Sequence, residues 1–342
     1  MGLGTLRLLL AFGVVASHTH GYIFSRYPDT GIIAVVTFFF ISGYLIPAAF
    51  QTHYTNGSVL IRIRNYLVNR LLRIYPIYWI AGTLALAVII LKGQTANYDL
   101  SIKSLVQNAL LLGLNQETLW HNDTKLIGPA WTLDIEMQFY LLTPMLVLLR
   151  QQLPRFFFWL VCGVSFAGVV LLIKPVGSSS IDRSIFPYFI FFCLGMLAYE
   201  QRKRIPGFVR SCTWRVLLIT FGLAAMFVAS RPEQTQWLLA SLMLLLTLPL
   251  LPQPSSRKDR YLGDLSYPVF VLHSPLIILN IWGQHSFFTT LFLNIGTTTI
   301  AAVLLHPLVS RYIEKVRSGN KDRSASAIVS LNTIGTSPKD AS

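Results

Sequence analysis

Apolar runs of roughly twenty residues, each closed by a short polar or basic stretch, follow one another along almost the whole chain. A helix needs about 20 consecutive apolar residues to cross the hydrocarbon core of a bilayer. Ten stretches qualify: Leu6–Phe24, Ile32–Phe50, Ile74–Leu91, Pro129–Leu149, Phe156–Lys174, Ser184–Glu200, Trp214–Ser230, Thr235–Leu251, Leu262–Trp282 and Phe287–Val309. The pattern predicts an all-α fold, a polytopic membrane bundle of about ten transmembrane helices. Two regions depart from it. Lys92–Gly128 is a long segment in which Ile102–Leu114 carries apolar residues at helical spacing, expected to lie along the outer surface or to re-enter partway. After Arg317 the chain turns polar, which predicts a membrane domain over residues 1–317 and a disordered cytoplasmic tail over 318–342. Val14-Val15-Ala16 faintly resembles a signal-peptide cleavage site, and Asn122-Asp123-Thr124 is a formal glycosylation sequon.

Composition agrees with the pattern. Of 342 residues, 53% are apolar and only 12% charged, against about 25% charged in soluble domains. The net charge of +14 would suit nucleic acid if it were gathered on one face. It is instead split between alternate loops. With the N-terminus in the cytoplasm, all but 7 of the 28 Lys and Arg fall on the inner side, the exceptions being Arg26, Lys92, Lys103, Lys125, Lys174, Arg183 and Arg231. That is the charge bias of inner loops. It puts both ends in the cytoplasm, names the lipid bilayer as partner and excludes nucleic acid. Cys162, Cys193 and Cys212 have no paired spacing and read as packing residues, and no metal-ligand spacing is present.

The exceptions inside the apolar runs carry the chemistry, because an ionisable group in hydrocarbon costs about 2.5–3.5 kcal/mol on insertion scales. Arg7 and His18 lie on the first run with ten residues between them, about 16 Å apart along a helix. Trp131, Asp134, Glu136 and Tyr140 follow in Gly128–Pro144. Trp131 suits the outer interface and Asp134 the start of a helix, while Glu136 is about 10 Å deep. Counted the same way, His18 lies about 6–9 Å down, and Ser42 and His273 near the midplane. Direct contact between His18 and Glu136 is expected from these depths. Asn69-Arg70-Leu-Leu-Arg73 places two guanidiniums on one helical side at the inner face, where they suit phosphate.

In this order, Arg7-x10-His18, Phe39-Phe-Ile-Ser42-Gly43, Arg70-x2-Arg73-Ile-Tyr-Pro76 and Trp131-Thr-Leu-x2-Glu136-x2-Phe-Tyr-Leu resemble successive motifs of the acyltransferase-3 family of integral-membrane O-acyltransferases. Leu265-Ser-Tyr-Pro-x3-Leu-His273 resembles its late-helix motif and Ile313-Glu314-Lys315 its C-terminal end. Thr132 replaces the usual Ser, Met137 a common second acid, and Val316 a frequent Pro. The resemblance is to stand-alone members without a fused esterase-like domain. It implies acetyl-CoA or another acyl-CoA as co-substrate, with no permanently bound cofactor, and a carbohydrate or lipid-linked glycan acceptor at the bacterial inner membrane. Fitted to that scheme on physical grounds, His18 is the expected base with Glu136 orienting it, and Arg7, Arg70, Arg73, Ser42 and Gly43 are expected at the donor. Trp131, Asp134, Tyr140 and His273 are supporting candidates. A proton-coupled transporter using His18, Glu136 and His273 as a relay is the alternative; no repeat or paired broken helices support it.

Overall fold

A computed structural model of the chain describes residues 2–19, 30–114, 125–173, 185–203, 232–279 and 286–334. Among the described residues there is no strand, and ten α-helices form: α1 (Leu3–Thr19), α2 (Thr30–His53), α3 (Val59–Leu91), α4 (Ile102–Leu110), α5 (Ala130–Gln152), α6 (Pro154–Ile173), α7 (Ile185–Glu200), α8 (Pro232–Thr247), α9 (Arg257–Leu279) and α10 (Phe287–Ile334). Nine of the ten apolar stretches coincide with helices; Trp214–Ser230 and the sequon at 122–124 lie outside the described residues. Residues 30–53, 59–91, 130–152, 257–279 and 288–316 are each long and apolar enough to cross a membrane. The protein is an all-α, multi-pass membrane bundle. α10 runs on to Ile334, so helix occupies much of the stretch expected to be a tail.

Helices α1 and α9 are parallel neighbours held in one register. Gly4 meets Asp259 at one end and His18 meets His273 at the other, the same offset of 255 residues in both cases. The Asp259 carboxylate caps α1 from across the interface: it accepts from Gly4 N at 3.0 Å, Thr5 N at 2.8 Å and Thr5 Oγ1 at 2.8 Å. The two backbone amides among them are donors that a helix cannot satisfy within its own first turn. The contact is possible because Gly4 and Gly263 lack side chains: a Cβ on Gly4 would stand 1.8 Å from the Asp259 carbonyl oxygen. A second crossing of this kind joins α2 and α7, where Cβ atoms on Gly43 and Gly195 would stand 2.1 Å from the carbonyl oxygens of Phe192 and Phe40. Small residues at such crossings let membrane helices approach backbone to backbone.

The long segment between α3 and α5 re-enters at its ends. α4 starts at Ser101, whose hydroxyl accepts from Ser104 N at 3.2 Å, and stops at Leu111 in the left-handed conformation. Tyr75 Oη and Trp79 Nε1 of α3 donate to the carbonyls of Leu110 and Ala109 at 2.7 and 2.8 Å. Asn108 Oδ1 then accepts from Leu126 N at 3.0 Å, and Asp134 Oδ2 from Leu114 N at 2.8 Å. Leu114, Leu126 and Ile127 are buried. Helix α5 therefore begins enclosed by protein on both sides of the chain.

Candidate active site

Five helices, α1, α2, α3, α5 and α9, surround a cavity of about 90 Å³. A buried water needs about 10–15 Å³ by the same kind of measure, so the space admits a small ligand group. Arg7, Arg70 and Arg73 line one end. Glu136 stands in the middle, where its Oε1 accepts from Ser42 Oγ at 2.9 Å and from Tyr140 Oη at 2.8 Å. Three guanidiniums thus share the cavity with one carboxylate, an excess of positive charge that favours an anion. The Arg70 guanidinium lies over the rings of Tyr66 and Tyr140, 5.5 and 5.6 Å from their centroids, and its buried Nε has no hydrogen-bond partner. Buried donors are seldom left so. Arg7 reaches the same space past Gly263, where a Cβ would stand 3.5 Å from its Nη1.

Val35, Phe38 and Phe270 close the other end. Phe270 packs edge-on against Phe38, centroids 6.1 Å apart, and against His273 at 6.3 Å. One helical turn beyond Phe270, the His273 ring lies 5.0 Å from that of His18, tilted by 49°. His273 is 0% exposed whereas His18 is exposed. The Nδ1 of His18 is 2.9 Å from the Val14 carbonyl oxygen. A carbonyl only accepts, so Nδ1 carries the hydrogen and Nε2 of the neutral ring carries the lone pair. That nitrogen faces Gly128, where a Cβ would stand 3.8 Å away. His18 and His273 thus lie one helical turn beyond Phe270, which lines the cavity.

Of the residues singled out in the sequence, Arg7, Ser42, Arg70, Arg73, Glu136 and Tyr140 come together at this cavity. His18 and Glu136 do not pair. Glu136 is engaged by two hydroxyls and His18 by a backbone carbonyl, so the residue that orients the imidazole is Val14. The expected depths placed α5 at the membrane face; because its start is buried, Glu136, about 9 Å along α5, is level with Ser42, about 18 Å along α2. Gly43 serves the α2–α7 crossing against Phe192 rather than the cavity. Asp134 holds Leu114 and accepts from Gln138 Nε2 at 3.1 Å, and Trp131 packs on Tyr188, ring centroids 5.8 Å apart. Asp259, Tyr267 and Phe270 were not singled out. Tyr267 lines the cavity and donates to the Ile74 carbonyl at 2.8 Å, tying α9 to α3 beside Arg73. The Ser-Tyr-Pro run around it was the available signal.

The acyltransferase-3 family model, described as an acyltransferase domain, matches residues 2–309. The chain belongs to this family. A Bacillus subtilis protein provisionally named as a peptidoglycan O-acetyltransferase is 23% identical over 97% of this chain and 57% of its own length. Several Staphylococcus aureus proteins provisionally named as O-acetyltransferases, among them those of strains COL and MSSA476, are 26% identical over 50% of this chain and 29% of theirs. The chain thus spans little more than half of the first relative and under a third of the others. No solved structure matches it.

Proposed function

We propose that the protein is a membrane O-acyltransferase of the bacterial inner membrane that moves an acyl group, acetyl being the simplest, from cytoplasmic acyl-CoA to a hydroxyl of a carbohydrate or glycoconjugate. The carrying observation is the cavity that gathers Arg7, Arg70, Arg73, Ser42, Glu136 and Tyr140, with the His18–His273 pair beyond Phe270 in its wall. Arg7, Arg70 and Arg73 would hold the donor's phosphates, Arg70 through the nitrogen now without a partner. Glu136 shares the cavity with these cations and fixes Ser42 and Tyr140 along the donor's path. The acyl end would then pass the Phe38–Phe270 layer towards His18. There Nε2 takes the proton of the acceptor hydroxyl as it attacks the thioester carbon, and returns it to the leaving thiolate. Val14 fixes the tautomer that this requires. The name of the Bacillus relative supports a cell-envelope glycan as the acceptor class.

The test is CoA release from acetyl-CoA by the purified full chain with a crude cell-envelope glycan fraction. Release that depends on the glycan is expected, with a loss of at least a hundredfold in His18→Ala. Acetyl-CoA that fails to bind the folded protein would overturn the donor assignment and favour the relay of a transporter.

A further inference from the structure

The mechanism above leaves one requirement unmet. When the hydroxyl adds to the thioester, the carbonyl oxygen becomes an oxyanion and needs a donor aimed at it. The three arginines line the far end of the cavity, and the Gly128 amide near His18 already donates to Ser274 Oγ at 3.2 Å. His273 is different. It is wholly enclosed, and although the backbone carbonyls of Val269 and Phe270 lie beside the ring, neither ring nitrogen meets them in good hydrogen-bond geometry. A buried polar ring without partners is costly, and Leu or Phe would fill the same space without that cost. Whichever tautomer it adopts, imidazole carries at least one N–H. Its ring faces His18 on one side and Phe270, a wall of the donor cavity, on the other.

We infer that His273 is the oxyanion donor: its N–H bonds the thioester carbonyl oxygen as charge develops there, while His18 removes the acceptor proton. This rests on the acyl-transfer reading above. The hydroxyl oxygen bonds to the carbonyl carbon and its proton passes to His18 Nε2. The carbonyl electron pair moves onto oxygen, held by His273. Collapse returns that pair to the carbonyl and breaks the C–S bond, and the sulfur departs with the C–S bonding pair. His18 then protonates the thiolate, giving ester and free CoA. Register supplies the geometry. The Asp259 clamp at Gly4 and the His18–His273 contact share one offset, so the end of α1 that carries Arg7 also sets the spacing of the two imidazoles.

The experiment measures kcat and KM for acetyl-CoA, with the envelope glycan fraction as acceptor, in wild type, His273→Ala, His273→Phe and His273→Gln. Removal of one oxyanion donor costs about a hundred- to a thousandfold in kcat, so Ala and Phe should fall by that much, with KM changed by no more than about twofold. Gln retains an N–H donor and should recover at least about tenfold over Phe. Phe and Gln both fill the enclosed volume, so the comparison stands even where Ala does not fold. A kcat within about threefold of wild type in His273→Phe, or Gln no better than Phe, overturns the role of His273 alone. Glycan-dependent release absent from wild type overturns the acyl-transfer reading, and this proposal with it.

Discussion

Glu136 shows how one residue organises a site without touching the base. Its carboxylate takes two hydroxyl hydrogen bonds and is, among the described residues, the one acidic side chain lining the cavity beside Arg7, Arg70 and Arg73. Removing one partner of a buried ionic cluster leaves the remaining charge uncompensated. Glu136→Gln keeps the shape and removes the charge. Its thermal midpoint without ligand should fall by a few degrees. Added CoA should then raise the midpoint by more than it does in wild type, because the ligand becomes the main counter-charge and binding to the folded state stabilises it. An equal or smaller CoA shift in Glu136→Gln would place the arginines outside the donor site. At this scale the sequence was informative. Arg7, Ser42, Arg70, Arg73, Glu136 and Tyr140 stood out because polar groups in apolar runs have few uses, and all six line the cavity. Their pairing was hidden, since which hydroxyl reaches Glu136 depends on where α5 begins.

That starting point is a property of elements. Depth counting assumed that every apolar run begins at a membrane face, and α5 breaks the assumption because Leu114 and Leu126 are drawn inward by Asp134 and Asn108. The helices themselves were legible from run length, because a buried helix in lipid must be apolar throughout. Their neighbours were not: nothing local in Gly4 or Asp259 announces a partner 255 residues away. The clamp between them makes a strong prediction. A one-residue slip of α1 moves His18 by about 1.5 Å and turns it by about 100°. Asp259→Ala should therefore lower kcat by about tenfold or more and also raise the KM for acetyl-CoA, because His18 and Arg7 ride on the same helix. Asp259→Asn, which retains one acceptor oxygen, should lie between Ala and wild type. Gly4→Leu should reproduce the Ala phenotype, since even its Cβ would stand 1.8 Å from the Asp259 carbonyl. If kcat falls with KM untouched, Arg7 does not act at the donor.

Orientation in the membrane decides whether the whole molecule can work as proposed. The arginine end of the cavity lies towards the α2–α3 loop, because Arg70 and Arg73 precede the apolar part of α3; the His18 end lies towards the α9–α10 connection. CoA carries several phosphates and does not cross bilayers, so the proposed donor site requires the arginine end to face the cytoplasm. The lopsided distribution of Lys and Arg points the same way. Exposed Asn56 in the α2–α3 loop and exposed Ser286 before α10 report the two sides. In a chain freed of Cys162, Cys193 and Cys212, Ser286→Cys should react with a membrane-impermeant maleimide in cells whose inner membrane is intact. Asn56→Cys should react only after that membrane is opened. The reverse pattern would put the arginines where acyl-CoA is absent, and would turn the cavity into a site for an external anion. The expected pattern would fit the proposed transfer, with the donor held at Arg70 on the cytoplasmic side and His18 towards the opposite side.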